Sequence, residues 1–248
     1  MNTRTRSSKI IKVDRIHSVG EASEFDNLGV DIVSVSFSDE IRFIDRRKVT
    51  EKQAIEIRKA LKYAKVCGQI SFQDFNTQSC LNLIETFGMS YVQIPFPEIP
   101  PLNFRQKLKE MGVGLIYAGL EASYEDDPSW ILSRLENIGE LNAAYFQIEL
   151  LPIVQNSWHF FTTECPKYPE ELQIEDINDL AKINPFLASV DLNSNNILEV
   201  IEKLHQIRGI GLTLGTLTSN QYSPHTLEFD RAIELVKILR SPVGEATE

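Results

Sequence analysis

Between Lys9 and Arg240 the chain alternates eight times between a short apolar run and a longer stretch whose apolar residues recur at helical spacing. The apolar runs predict strands at Ile10 to Asp14, Ile32 to Phe37, Val66 to Ser71, Ser90 to Pro95, Gly114 to Ala118, Ala144 to Leu150, Leu187 to Leu192 and Gly209 to Gly215. Helices fill the intervals. Thr50 stands three residues ahead of Gln53, a capping-box spacing, and Ala54, Ile57 and Leu61 then mark one buried stripe. After the polar turn from Asn193 to Asn196, Ile197, Val200, Ile201 and Leu204 mark another. Strand-then-helix alternation repeated eight times predicts an α/β chain whose parallel sheet closes into a (β/α)8 TIM barrel. Such barrels build their sites at the C-terminal ends of the strands, so the residues closing each apolar run are the first candidates for chemistry.

The rhythm breaks once. Residues 151–172 place Pro152, Pro166 and Pro169 among Trp158, Phe160, Phe161 and Tyr168, which predicts a long aromatic loop folded over the strand ends. A length of 248 residues suits one barrel, so a single domain is expected over 9–241, with a disordered lead-in at 1–8 and a tail at 242–248. The formal net charge of −10 argues against nucleic acid, and the densest basic cluster, Arg46, Arg47 and Lys48, reads as a solvated loop. No stretch approaches the ~20 apolar residues of a membrane span, and the polar N-terminus has no apolar signal segment. Cys67, Cys80 and Cys165 are odd in number and lack metal spacing, which suits a reducing cytoplasm. No metal set and no cofactor is expected, and a small-molecule ligand is the expected partner.

The run Lys12-Val-Asp14-Arg15, then Glu21-Ala22, Leu28-Gly29-Val30-Asp31, Val35-Ser-Phe37 and Arg42-Phe43-Ile44, resembles the opening of phosphoribosylanthranilate isomerase, a (β/α)8 enzyme of the tryptophan pathway. Val92-Gln93-Ile94 is similar to that family's Val-Gln-Leu in strand 4. Leu192-Asn193 with Asn196-Ile197 is similar to its Gly-Gly-Leu-x-x-x-Asn-Val turn after strand 7. Taken in order, the matches run through nearly the whole chain, and a short insertion near Asp45 to Val49 and the segment after strand 6 depart from the usual lengths.

The resemblance implies an Amadori rearrangement, in which one group protonates the sugar-ring oxygen and another removes the C2 proton. The family's general base is a cysteine in a Lys-Ile-Cys-Gly motif, and Asp14 stands at the matching position. Its general acid is an aspartate closing strand 6, and Glu149 stands there. Two carboxylates can divide acid and base roles when their surroundings separate them. The histidine-pathway isomerase resembles this arrangement.

Phosphate binding departs further. The family's tandem glycines after strand 7 and its small-residue turn after strand 8 offer backbone N–H groups to a phosphate. This chain has Val190-Asp191 and Thr213-Leu214-Gly215. A carboxylate at ~4 Å from a phosphate opposes it by on the order of 4 kcal/mol, roughly a thousandfold in affinity.

Arg42 matches the family's arginine after strand 2, and a binding role is expected for it. Gln69, Gln93 and Gln147 lie within apolar strands and would line a polar floor if they point inward. Asp191 and Asn193 at the strand 7 exit, and Trp158 in the aromatic segment, complete the candidate binding set, with helix capping the competing role for the first two. His17 is placed near the site and His225 at a helix start. The expectation is an acid–base isomerase, epimerase or lyase acting on a small polar molecule that lacks a phosphate or anchors it differently. The alternatives are a non-catalytic ligand-binding or protein-interaction barrel and a genuine phosphoribosylanthranilate isomerase with an atypical phosphate site. In the non-catalytic case Asp14, for instance with Arg15, and Glu149 would sit in ion pairs. A ligand-sized cavity would favour the enzyme, and a collapsed interior the non-catalytic barrel.

Overall fold

The computed structural model describes residues 9–39, 43, 45–127, 130–131, 141–215 and 225–241. Strands β1 (Ile10–Asp14), β2 (Ile32–Ser36), β3 (Lys65–Gln69), β4 (Tyr91–Pro95), β5 (Gly114–Ala122), β6 (Ala143–Leu150), β7 (Phe186–Ser189) and β8 (Gly209–Leu214) pair in chain order. All pairs are parallel, and β8 closes on β1 with Lys12 beside Gly211 and Asp14 beside Thr213. The fold is therefore the (β/α)8 barrel that the alternation predicts. A two-residue strand β9 (Thr226–Leu227) adds to β8 beyond the closed ring.

Among the described residues the helices are α1 (Val19–Asn27), α2 (Glu51–Ala60), α3 (Thr77–Phe87), α4 (Leu102–Glu110), α5 (Ser157–Thr163), α6 (Ile174–Ile183), α7 (Ile197–Lys203) and α8 (Phe229–Arg240). Thr50 and Gln53 form the expected capping box at the start of α2. Outward strand residues such as Val13, Val33, Val92, Tyr117, Ile148 and Leu212 pack against buried helix stripes and supply the main core. Inside the barrel, Ile32, Cys67 and Ile116 form a small apolar plug bordered by Ile10, Tyr91 and Tyr145. Toward the strand C-termini the interior turns polar, with Lys12, Gln69, Gln93, Gln147 and Ser189 all buried.

Three expectations shift. Strand β5 runs on to Ala122 because Gly119, at φ 79°, accommodates a bulge against β6 that a side chain would strain. Strand β7 stops at Ser189, since the Asp191 N–H turns away to Ser157 Oγ at 3.2 Å. The segment 151–172 is not one continuous loop: it holds α5 and a 3₁₀ turn at Cys165–Lys167. Ser157, Trp158 and Phe161 fall on one buried helical face, so the aromatic residues carry helix periodicity and not loop chemistry.

Candidate active site

Period-two alternation along each strand decides which side chains enter the barrel. At the C-terminal mouth, Asp14 from β1, Gln69 from β3, Gln93 from β4, Gln147 and Glu149 from β6 and Thr213 from β8 surround one small cavity with Arg15, Ala118 and Gly119. Its volume is about 10 Å³, room for one water. Asp14 is 2% exposed and Glu149 3%. All three glutamines point inward.

Beneath this cavity lies a group that inspection of strand ends passes over. Lys12, fully buried, ion-pairs with Asp14 Oδ1 and donates to Gln147 Oε1 at 2.7 Å. Gln147 Nε2 in turn donates to Asp14 Oδ2 at 2.9 Å and to Ser189 Oγ at 3.3 Å. The three side chains close a ring. Gly211 leaves the space for it, because a Cβ there would stand 2.7 Å from Gln147 Cδ. The signal for Lys12 was its position two residues before Asp14, hence on the same strand face. Gln93 Nε2 donates to Gln69 Oε1 at 3.2 Å, while Gln93 Oε1 is buried with no hydrogen-bond partner among the described residues. Burial pushes the Cys67 thiol, close to Lys12, up to about 12, so it is no thiolate nucleophile.

Arg15 is not the partner of Asp14. Its backbone takes φ 65° and its guanidinium swings away to the Leu214 and Asp45 carbonyls, both at 2.7 Å, over the Phe43 ring. A separate cavity of about 240 Å³ lies on that side, between the β1 and β2 exits, lined by Arg15, Ser36, Ser38, Phe43 and the 45–48 segment. The basic cluster there is not simply solvated: Arg47 pairs with Glu21 and donates to the Arg15 carbonyl at 2.7 Å. Burial pushes the Glu21 carboxyl up, but the His17 N–H and Arg47 together hold it below the usual carboxylate range. His17 contacts Glu21 through Nδ1 at 2.9 Å and is absent from the cavity lining. Arg42 lies outside the described residues.

Among the described residues at the exits of β7 and β8, three backbone N–H groups are engaged within the chain. Asp191 N–H goes to Ser157 Oγ at 3.2 Å, Asn193 N–H to Asn196 Oδ1 at 2.8 Å, and Gly215 N–H to the Leu227 carbonyl at 3.0 Å. Asn193 is a turn residue whose Oδ1 accepts from the Asn195 and Asn196 N–H groups, while the N-cap position of α7 falls to Asn196, so Asn193 is not the helix cap. Neither it nor Asp191 lines the mouth cavity. Trp158 also departs from its expected binding role, because it is buried against Phe161 and donates to Glu199. His225 does not start a helix. It precedes β9, and its Nε2 lies 2.7 Å from the Leu150 carbonyl; burial lowers its pKa, opposed by that contact and by the Asp191 charge.

Together these features define a single-domain (β/α)8 barrel with a buried two-carboxylate cavity at its C-terminal face. Solved structures that share this architecture include phosphoribosylanthranilate isomerases. The enzyme from Pyrococcus furiosus matches 92% of this chain and 97% of its own at TM-score 0.62 and 17% identity. That from Thermococcus kodakaraensis matches 93% and 98% at TM-score 0.62 and 18% identity. A type I 3-dehydroquinate dehydratase from Clostridium difficile is similar over 96% of this chain and 94% of its own, at TM-score 0.59 and 13% identity. No family model and no curated protein matches the chain. At such identities the likeness establishes the fold and leaves the reaction to the site.

Proposed function

We propose that the chain is a diverged relative of phosphoribosylanthranilate isomerase that moves protons between Asp14, Glu149 and a small polar substrate, as an isomerase, epimerase or lyase. The observation that carries this reading is that carboxylates from two non-adjacent strands, β1 and β6, line one cavity at the barrel mouth. Asp14 takes a proton from carbon next to a carbonyl or imine, and Glu149 gives one to the oxygen whose bond rearranges. The open acceptor on Gln93 suits a substrate hydroxyl. The engaged N–H groups of Asp191, Asn193 and Gly215 favour a substrate without a phosphate on those three groups. Three buried free thiols suit a cytoplasmic setting, and among the described residues no helix is long and apolar enough to cross a membrane.

A second reading, a non-catalytic barrel, is favoured by the criterion set out from the sequence: the cavity has room for one water and not for a ligand, and Lys12 neutralises Asp14. Proton NMR in D₂O separates the two. The protein is incubated with ribose, xylose, arabinose, glucose and their N-phenylglycosylamines, and the C2–H signal is followed. Enzyme-dependent deuterium incorporation that vanishes in both Asp14→Asn and Glu149→Gln supports the acid–base reading. Folded wild-type protein that exchanges none of these compounds supports the non-catalytic barrel.

A further inference from the structure

We propose that Lys12 is the positioning residue of this site, acting directly and through Gln147 to hold the Asp14 carboxylate in one orientation toward the cavity it shares with Glu149. The inference rests on the acid–base reading above and deepens it. Both oxygens of Asp14 are held from the N–H side: Oδ1 by the Lys12 ammonium, Oδ2 by Gln147 Nε2 at 2.9 Å. Gln147 has no freedom to reverse its amide, because its Oε1 accepts from Lys12 at 2.7 Å. Donors on both oxygens hold the carboxylate in one orientation, because a rotation of either oxygen would break one of the two contacts. The remaining lone pairs of Asp14 face the cavity it shares with Glu149. Lys12 itself is fully buried and does not line that cavity, which makes its action on a substrate indirect. Cys67 lies beside the pair with its thiol pushed up to about 12, so it does not compete as a charged partner for the ammonium.

The test uses the full chain labelled with ¹⁵N-lysine and correlation spectra tuned to ammonium groups. One ammonium signal should persist under conditions where surface lysines exchange with water. It should disappear in Lys12→Met and move in Asp14→Asn and Gln147→Met. If Lys12→Met fails to fold, the displacement in Gln147→Met carries the assignment. A spectrum with no protected ammonium, or one that ignores Asp14→Asn, overturns the inference. With whichever sugar exchanges in the D₂O assay, Gln147→Met should lower kcat about tenfold or more, alter the pH profile and leave KM nearly unchanged. A loss of stability with kcat and its pH profile intact would make the ring structural and overturn positioning. If no compound exchanges, the acid–base reading fails, and catalytic positioning fails with it. A protected ammonium coupled to Asp14 would then mark the ring as a buried ion pair of a non-catalytic barrel.

Discussion

The indole N–H of Trp158 donates to Glu199 Oε2 at 3.1 Å and so ties α5, after β6, to α7, after β7. Phe161 packs edge-on to the same indole, with ring centroids 6.2 Å apart, and both side chains belong to the main core. The aromatic segment is thus part of the barrel's wall. Trp158→Ala and Phe161→Ala should each cost about 3–5 kcal/mol, read as a fall in urea midpoint with unchanged slope. Trp158→Phe, which keeps most of the packing and loses the hydrogen bond, should cost about 1 kcal/mol. Normal unfolding of the alanine variants with loss of ligand binding would restore the binding role expected of Trp158 from the sequence.

The barrel was legible because its signal is repeated: eight apolar runs placed the eight strands, and β1 spans Ile10–Asp14 as the pattern predicts, whereas β5 runs on past Ala118 to Ala122 and β7 stops at Ser189 short of Leu192. Alternation also placed Asp14 and Glu149 on strand ends, and the structure brings them to one cavity. Trp158 was misread because proline and aromatic content suggested a loop, whereas the three-residue spacing to Phe161 is what buries both. Lys12 was overlooked because a lysine in a strand normally reads as solvent-facing. Its burial depends on Asp14 and on Gln147, 135 residues away, and no local pattern reveals that pairing. Arg15 shows the same limit, since its left-handed backbone turns it away from the neighbour it seemed to serve.

Asp26 gives a pH-dependent prediction. Its side chain accepts from the backbone N–H groups of Lys62, Tyr63 and Ala64 at 2.9, 2.9 and 2.6 Å, which pins the chain leaving α2 against α1. Burial pushes its carboxyl up, but the three donors prevail and hold it below the usual range. The folded state therefore favours the ionised form. That contribution is complete above the unfolded value of about 3.9 and is lost as pH falls through the lower folded value. Asp26→Ala should cost about 2–4 kcal/mol near neutrality by stranding those donors. The gap to wild type should narrow below about pH 4, as urea titrations at several pH values would show. A gap independent of pH would mean that packing, and not the ionised cap, is what Asp26 supplies.

Two glycines of β8 should respond differently to the same methyl group. A Cβ at Gly209 would meet the Ile10 carbonyl oxygen at 2.0 Å, and backbone cannot yield without parting β8 from β1 where the barrel closes. Gly209→Ala should therefore fail to give a cooperative thermal transition. A Cβ at Gly211 would instead meet the Gln147 amide, with its nearest atom at 2.7 Å, and a side-chain end can move aside. Displacement of that amide removes the donor to Asp14 Oδ2 and the acceptor for Lys12 together. Gly211→Ala should stay folded with a loss of about 1–3 kcal/mol, while the protected Lys12 ammonium signal shifts. Equal destabilisation by the two substitutions, with that signal unmoved, would show that the space beside Gly211 serves packing and not the ring around Asp14.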